Sequence, residues 1–109
     1  MLTKDNIKEK LVEFMKEYPD FDEKIKFGSK AYERQGNMCA GVYQNQLVLN
    51  LGKEKVNELL KSKYAKPMDI IGRLLEDWVI LEEPLYQDTD KTRGLLKSAV
   101  DRVRLLPRK

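Results

Sequence analysis

Residues 27–52 read FGSKAYERQGNMCAGVYQNQLVLNLG, and this stretch decides the fold class. It is dense in residues that favour β-strands, and only the polar triplets at 35–37 and 44–46 interrupt it. Short polar breaks between alternating apolar runs are typical of tight turns between antiparallel strands. We therefore predict three short strands: one that begins near Ile25 and has a bulge or a close backbone approach at Gly28, one over residues 38–43 and one over residues 47–51.

Helical patterns flank this strand region. Apolar residues at spacings of three and four predict three helices: over residues 4–18, from Gly52 to about residue 63, and from Asp88 or Thr89 to Pro107. Between the second and third helices we predict an extended segment and turn over residues 67–72. One or two strands should follow over residues 73–81, with the apolar run at 78–81 buried on both faces.

The predicted order is α-β(3)-α-β(2)-α, which is an α+β arrangement. Strands joined by hairpins imply a five-stranded antiparallel sheet with helices mainly on one face. The chain has 109 residues, so we expect a single domain over residues 1–109. Its 41% hydrophobic and 36% charged content is typical of a folded protein with a charged exterior.

The cellular location of the protein is predicted from the lack of long apolar runs in its sequence. The longest run, at 78–81, is too short to cross a membrane, and the first residues lead into a charged helix without a signal-peptide pattern. Cys39 is the single cysteine, so neither an internal disulfide nor a multi-cysteine metal site is available. We therefore expect a cytoplasmic protein that does not interact with membranes.

The sequence contains no histidine, which removes the commonest general base and the commonest metal ligand. Cys39 lies in the middle of a predicted strand and is expected to be a buried small hydrophobe rather than a reactive thiol. We therefore predict no catalytic residues, no cofactor and no metal. An enzyme or small-ligand protein that uses Cys39, Asp69 or Tyr64 in a pocket remains an alternative.

The second face of the predicted sheet is the first candidate site. Aromatic and β-branched residues on it would form an apolar patch, and such patches usually bind partners. This predicts a homodimer or a complex with a regulatory protein partner. The candidate partner face consists of Tyr32, Tyr43, Val48, Val79 and Leu81.

The C-terminal helix is the second candidate site. Residues 91–109 contain seven cations (Lys91, Arg93, Lys97, Arg102, Arg104, Arg108 and Lys109) against Asp101 alone. Cations near a helix end also complement its macrodipole, which is the structural explanation of the pattern. A nucleic-acid-binding surface is the functional alternative. The candidate nucleic-acid face consists of Arg93, Lys97, Arg104, Arg108 and Lys109.

Several short motifs occur together in a characteristic order. They are Phe27-Gly28, the segment GNMCAGV at 36–42, LVLNLG at 47–52, PMD at 67–69, Gly72-Arg73 and LLPRK at 105–109. By the order and spacing of these motifs, residues 26–109 resemble the N-terminal domain of the TfoX/Sxy family of bacterial competence regulators. Ser29 stands where a second glycine is usual in that family, and Ile70-Ile71 replace a typical aromatic–threonine pair.

This resemblance implies a fold of the secretion-chaperone type, in the same α-β(3)-α-β(2)-α order. It also implies a non-enzymatic regulatory role, since the family offers no established catalytic residues. Full-length competence regulators of this family carry a second, C-terminal domain. We expect the present chain to be a stand-alone domain whose role in competence does not follow directly.

Overall fold

The computed structural model describes residues 6–26, 28–70 and 72–108. Four helices and six strands follow one another along the described chain. In chain order they are α1 (Asn6–Met15), β1 (Asp22–Lys26), β2 (Ser29–Arg34), β3 (Asn37–Tyr43), β4 (Gln46–Asn50), α2 (Lys53–Leu59), β5 (Ala65–Ile70), β6 (Arg73–Leu81), α3 (Glu83–Tyr86) and α4 (Thr89–Arg104).

The strands form one open antiparallel sheet in the order β1-β2-β3-β4-β6-β5. The predicted α+β class and antiparallel sheet are confirmed, but the predicted number of five strands is wrong. The extra strand arises at Gly28, which has φ 74° and lies in a turn rather than a bulge. Lys26 pairs with Ser29 across this turn, so the predicted first strand is in fact the hairpin β1–β2. Glycine suits this position because it adopts positive φ without steric cost.

The helices pack on the sheet through one large cluster of buried residues. Apolar residues of α1 and α4 form much of this cluster. They recur at spacings of three and four, and residues so spaced share one face of a helix. Its members include Ile7, Leu11 and Phe14 of α1, Val56 of α2, Leu85 and Tyr86 of α3, Leu95, Leu96, Ala99, Val100 and Val103 of α4, and Val42, Leu47, Leu49, Val79 and Leu81 of the strands. This cluster, which we call the main core, covers one face of the sheet.

Polar contacts fix the start of α4. The Asp88 side chain accepts a hydrogen bond from the Lys91 backbone N–H at 3.1 Å, as an N-cap should. The buried hydroxyl of Thr92 donates to the Tyr86 carbonyl at 3.1 Å and so joins α4 to the one-turn helix α3. The helix start near Asp88 agrees with the prediction, whereas α3 was not predicted, because four residues are too few to show a periodic pattern.

A change of register bends the hairpin β5–β6. Pro67 pairs with Val79, but the next residue, Met68, pairs with Leu75, so β6 carries three extra residues at positions 76–78. Met68 and Leu75 lie beyond this bulge, and they join a second apolar cluster with Val48 and Ile80. The face of the sheet opposite the main core therefore has a small hydrophobic cluster of its own.

Among the helices within residues 6–26, 28–70 and 72–108, none is long and apolar enough to cross a membrane. The longest of them, α4, has 16 residues and carries charged side chains along its length. A membrane-spanning helix needs about 20 predominantly apolar residues.

We expect the main core to dominate stability, and paired leucine substitutions test this. Leu96 is 1% exposed, so Leu96→Ala should lower the free energy of unfolding by about 2–5 kcal/mol through lost burial and the cavity left behind. Leu105 is 86% exposed, so Leu105→Ala should change it by less than about 0.5 kcal/mol. Urea unfolding of both variants measures the difference, and equal effects would contradict this assignment of the core.

Candidate functional site

The structure divides the predicted partner face between the two sides of the sheet. Tyr32, Val79 and Leu81 are buried in the main core beneath the helices, so their placement on an open face was wrong. Leu47 pairs with Leu81 and Leu49 with Val79, which puts these residues on one face. Directly paired residues in an antiparallel sheet point to the same side, whereas successive residues alternate.

Two members of the predicted face do lie on the side away from the helices. Val48 is fully buried in the second cluster, and Tyr43 packs against that cluster while remaining partly exposed. Val48 pairs with Ile80, so Ile80 is the β6 residue that shares its face, in place of Val79 or Leu81. Little of the predicted patch therefore remains open at this part of the sheet.

The open part of this face lies nearer the ends of the strands, where residues of β1, β2, β3, β4 and β6 enclose a groove of about 360 Å³. We call this the back groove. Its lining residues are Lys26, Glu33, Gly36, Asn37, Met38, Asn50, Leu75 and Trp78. The apolar part of the lining comes from Met38, Leu75 and Trp78, all of which are only partly buried.

Two buried asparagines hold the back groove in shape. Asn50 Nδ2 donates to the Met38 carbonyl at 3.0 Å, while Asn50 Oδ1 accepts from Arg102 Nη1 at 3.1 Å. Asn37 Nδ2 donates to the Pro107 carbonyl at 2.8 Å. Buried amides that make such bonds are costly to displace, because breaking a bond leaves a polar group without a partner. The groove is thereby tied to α4 and to the segment that follows it.

Gly52 makes room for the arginine that holds Asn50. A Cβ atom at position 52 would lie 2.8 Å from Arg102 Nε, closer than side chains normally approach. Gly52 also has φ +89°, a conformation that other residues adopt only with strain. A side chain at this position would therefore disturb both the backbone and the Arg102–Asn50 hydrogen bond.

A smaller apolar hollow adjoins the back groove. It has a volume of about 60 Å³ between α2 and the bent hairpin, and its apolar lining residues are Val56, Leu60, Pro67, Leu74, Leu75 and Trp78. Leu75 and Trp78 line both concavities, and the neighbouring Leu74 is 54% exposed. The β6 bulge therefore concentrates apolar surface at one place outside the main core.

The predicted nucleic-acid face is largely engaged in contacts within the protein. Arg104 makes two hydrogen bonds to Asp20, with Nε at 3.0 Å and Nη2 at 2.8 Å, and its guanidinium lies 5.4 Å from the Tyr18 ring centre. Lys97 Nζ pairs with Asp101 at 3.0 Å. The hydrogen bonds from Arg104 are the main reason that the pKa of the Asp20 carboxyl is lowered.

The remaining predicted cations do not extend this face into a continuous patch. Arg93 lies over the Phe14 ring at 5.5 Å from its centre, and Arg108 is exposed. Lys109 lies outside the described residues. Through Arg93, Arg104 and Arg102, the cations of α4 therefore join this helix to α1, to the loop at Asp20 and to Asn50 of β4.

The residues of the enzyme alternative do not converge on a site. Cys39 is fully buried, and burial raises the pKa of its thiol to about 12, so the thiol is protonated at neutral pH. Tyr64 lies beneath the Lys63 ammonium, 5.1 Å from the ring centre, and Asp69 is exposed on β5. Within the described part of the chain, no three His, Cys, Asp or Glu residues are placed to hold a metal ion.

Sequence reasoning did not identify Leu74, Leu75 or Trp78 as surface residues. A signal was present in the segment RLLEDWVIL at 73–81, where two adjacent leucines and two carboxylates break the alternation that an undistorted strand would show. Such a break is typical of a β-bulge, which often re-aims side chains at functional surfaces.

Comparison with known proteins does not assign the chain to a family. No protein-family model matches it, and a search of curated proteins finds no match. The resemblance to the TfoX/Sxy N-terminal domain therefore rests on the sequence motifs alone.

We expect the Cys39 thiol of the native protein to be almost unreactive. At pH 8, a thiol-specific chromogenic disulfide should label the guanidinium-unfolded protein rapidly and the native protein only as fast as it opens. Since burial raises the folded-state pKa to about 12, the resulting stabilisation is present below the unfolded thiol pKa of about 8.5 and is lost as the pH rises above it. Fast, stoichiometric labelling of native protein would contradict this placement of Cys39.

Proposed function

We propose that this protein is a non-enzymatic interaction module that self-associates through the back groove and the adjoining β6 bulge. One observation carries the proposal: half-buried Leu75 and Trp78 lie on the face of the sheet opposite the main core, and exposed Leu74 adjoins them at the β6 bulge, where all three line the apolar hollow. Aromatic and apolar side chains in a concave, preformed surface are typical of the energetically important centres of protein interfaces. A second copy of the chain is the proposed occupant.

The charges around this surface support a protein occupant. Lys26 and Glu33 both line the back groove, and Arg73 and Glu76 both lie on the exposed part of β6. A surface that carries both signs of charge can complement itself when a twofold axis brings each patch against its copy. The same mixture disfavours a polyanion, since Glu33 and Glu76 would repel phosphates.

The preformed shape of the groove also favours association. Asn37 and Asn50 are held by hydrogen bonds before any partner arrives, so little conformational entropy is lost at this part of the surface on binding. A standard protein interface buries about 800 Å² on each partner. The back groove, the apolar hollow and the exposed side of β6 together offer a continuous region for such a contact.

The regulatory part of the proposal comes from the resemblance to the TfoX/Sxy N-terminal domain. If the edge strand β1 and the one-turn helix α3 are set aside, the remaining order is α-β(3)-α-β(2)-α. This agreement supports a secretion-chaperone-like fold and a single, TfoX N-terminal-like domain. A cytoplasmic location belongs to the same proposal, since a lone unpaired cysteine suits a reducing compartment.

Nucleic-acid binding through α4 is the weaker alternative. Arg104 and Lys97 already pair with Asp20 and Asp101, so binding a phosphate there would require the loss of existing ion pairs. Filter binding at low salt tests this alternative directly. Retention of DNA or RNA that falls steeply with added salt would favour it over self-association.

We expect Leu74→Glu to weaken the dimer, because it places a carboxylate in an apolar contact. The dimer dissociation constant should rise by roughly tenfold or more, as for other residues central to an interface. Sedimentation equilibrium over a dilution series measures this. Leu105→Glu is the matched control, since it adds the same charge at an exposed leucine on a different part of the protein and should leave the dissociation constant unchanged.

Two results would overturn the proposal. A wild-type chain that stays monomeric at the highest concentrations would remove self-association. A dimer that responds equally to Leu74→Glu and Leu105→Glu, with both variants folded by circular dichroism, would place the contact elsewhere.

A further inference from the structure

The edge strand β1 differs from the edge strand at the other side of the sheet. Among the strands that the structure describes, β1 (Asp22–Lys26) pairs only with β2, and all five of its side chains are exposed. Because antiparallel partners bond through alternate residues, its outer side presents a row of backbone N–H and C=O groups. The opposite edge, β5, carries Pro67 and a register shift at Pro67/Met68, both of which hinder strand pairing. Of the two edges, β1 is therefore the one suited to an added strand.

On the main-core side, β1 carries Glu23, which is paired within the protein, and the apolar Ile25. Glu23 accepts a hydrogen bond from the Tyr32 hydroxyl at 3.0 Å, and Lys30 Nζ lies 3.5 Å from its other carboxylate oxygen. Ile25 is on the same side by strand alternation and is 70% exposed. A strand added here would gain contact area by placing an apolar side chain against Ile25.

The other face of β1 is cationic. It carries Asp22, Lys24 and Lys26, and neither lysine forms an ion pair with any described residue. Lys26 lies at the back groove. Opposite charges directly across an antiparallel pair stabilise it, and like charges destabilise it. A strand added at this edge should therefore present carboxylates to Lys24 and Lys26.

A second copy of β1 meets this requirement poorly. Antiparallel pairings of two β1 strands that keep their faces aligned can centre on Glu23, Lys24 or Ile25. The first sets Glu23 against Glu23 and Asp22 against Lys24, the second sets Lys24 against Lys24 and Asp22 against Lys26, and the third sets Lys24 against Lys26. Each register thus contains a like-charge pair, and none places a carboxylate of β1 opposite both Lys24 and Lys26, so a partner strand richer in carboxylates matches this edge better than a second copy does.

We propose that the β1 edge binds an extended acidic peptide segment of another protein as a seventh strand. Such a segment would carry apolar residues on the side of Ile25 and Asp or Glu on the side of Lys24 and Lys26. Main-chain hydrogen bonds would supply affinity, and the alternating side chains would supply specificity. This edge is distinct from the β6 bulge at the centre of the proposed dimer contact, although Lys26 also lines the back groove, and the acidic partner is what the charges of β1 select.

The test uses two fluorescein-labelled synthetic peptides of alternating sequence, one Val-Glu and one Val-Lys, with binding measured by fluorescence anisotropy at low salt. The Val-Glu peptide should bind the wild-type protein and the Val-Lys peptide should not. In the double variant Lys24→Glu/Lys26→Glu, affinity for Val-Glu should fall by roughly tenfold, and the Val-Lys peptide should bind instead. Backbone amides of β1 should exchange more slowly with deuterium when the peptide is bound.

Lys66→Glu is the matched control, because it reverses an exposed lysine on the opposite edge strand. It should leave Val-Glu affinity unchanged, and an equal loss in this variant would show non-specific attraction and overturn the proposal. Equal binding of both peptides, or no binding of Val-Glu, would also overturn it. So would a dimer that Lys24→Glu alone abolishes, since Lys24 lies outside the back groove and a second copy would then occupy the edge. The Leu74→Glu variant should still bind the Val-Glu peptide. A failure of the dimer proposal can therefore be told apart from a failure of the peptide proposal.

Discussion

Pairing between β4 and β6 is the constraint on which the rest of the structure depends. In the observed register, Leu49 lies opposite Val79 and Leu47 opposite Leu81, so these four side chains enter the main core together. Val48 and its partner then point to the other face. A slip of one residue would exchange the two sets and expose the larger one to water, because side chains alternate along a strand. Burial beneath α1 and α4 therefore selects the register.

The same pairing has consequences at the opposite face. It places Trp78 across from Asn50, at the point where β6 leaves its register with β5. The bulge then directs Leu74 and Leu75 outward rather than into the main core. Arg102 and Asn50 link this region to α4, so the helix that closes the main core also holds the floor of the back groove. The shape of the proposed interaction surface is thus a consequence of how the core is packed.

The charged side chains fall into two groups, those that join secondary-structure elements and those at the edge of the sheet. Those that join secondary-structure elements, such as Arg104 with Asp20 and Arg34 with Asp20, hold α4 and β2 to the loop after α1. Those on β1 lie at the edge of the sheet, where Lys24 and Lys26 are exposed and form no ion pair with the described residues. Isolated surface ion pairs contribute little to stability, so the role proposed for the β1 charges is selection among partners rather than support of the fold.

Local sequence determined much of the architecture. The apolar spacing of α4 and the cap at Asp88 predicted the last helix, and the polar triplets predicted the turns at Gln35 and Asn45. The sequence did not separate β1 from β2, because a bulge and a turn at Gly28 produce the same break in alternation. It could not decide which apolar set of β6 faces the helices, since Trp78 and Ile80 are as hydrophobic as Val79 and Leu81. Only long-range pairing and burial decided that, by placing Val79 and Leu81 inside and leaving Leu74, Leu75 and Trp78 at the surface.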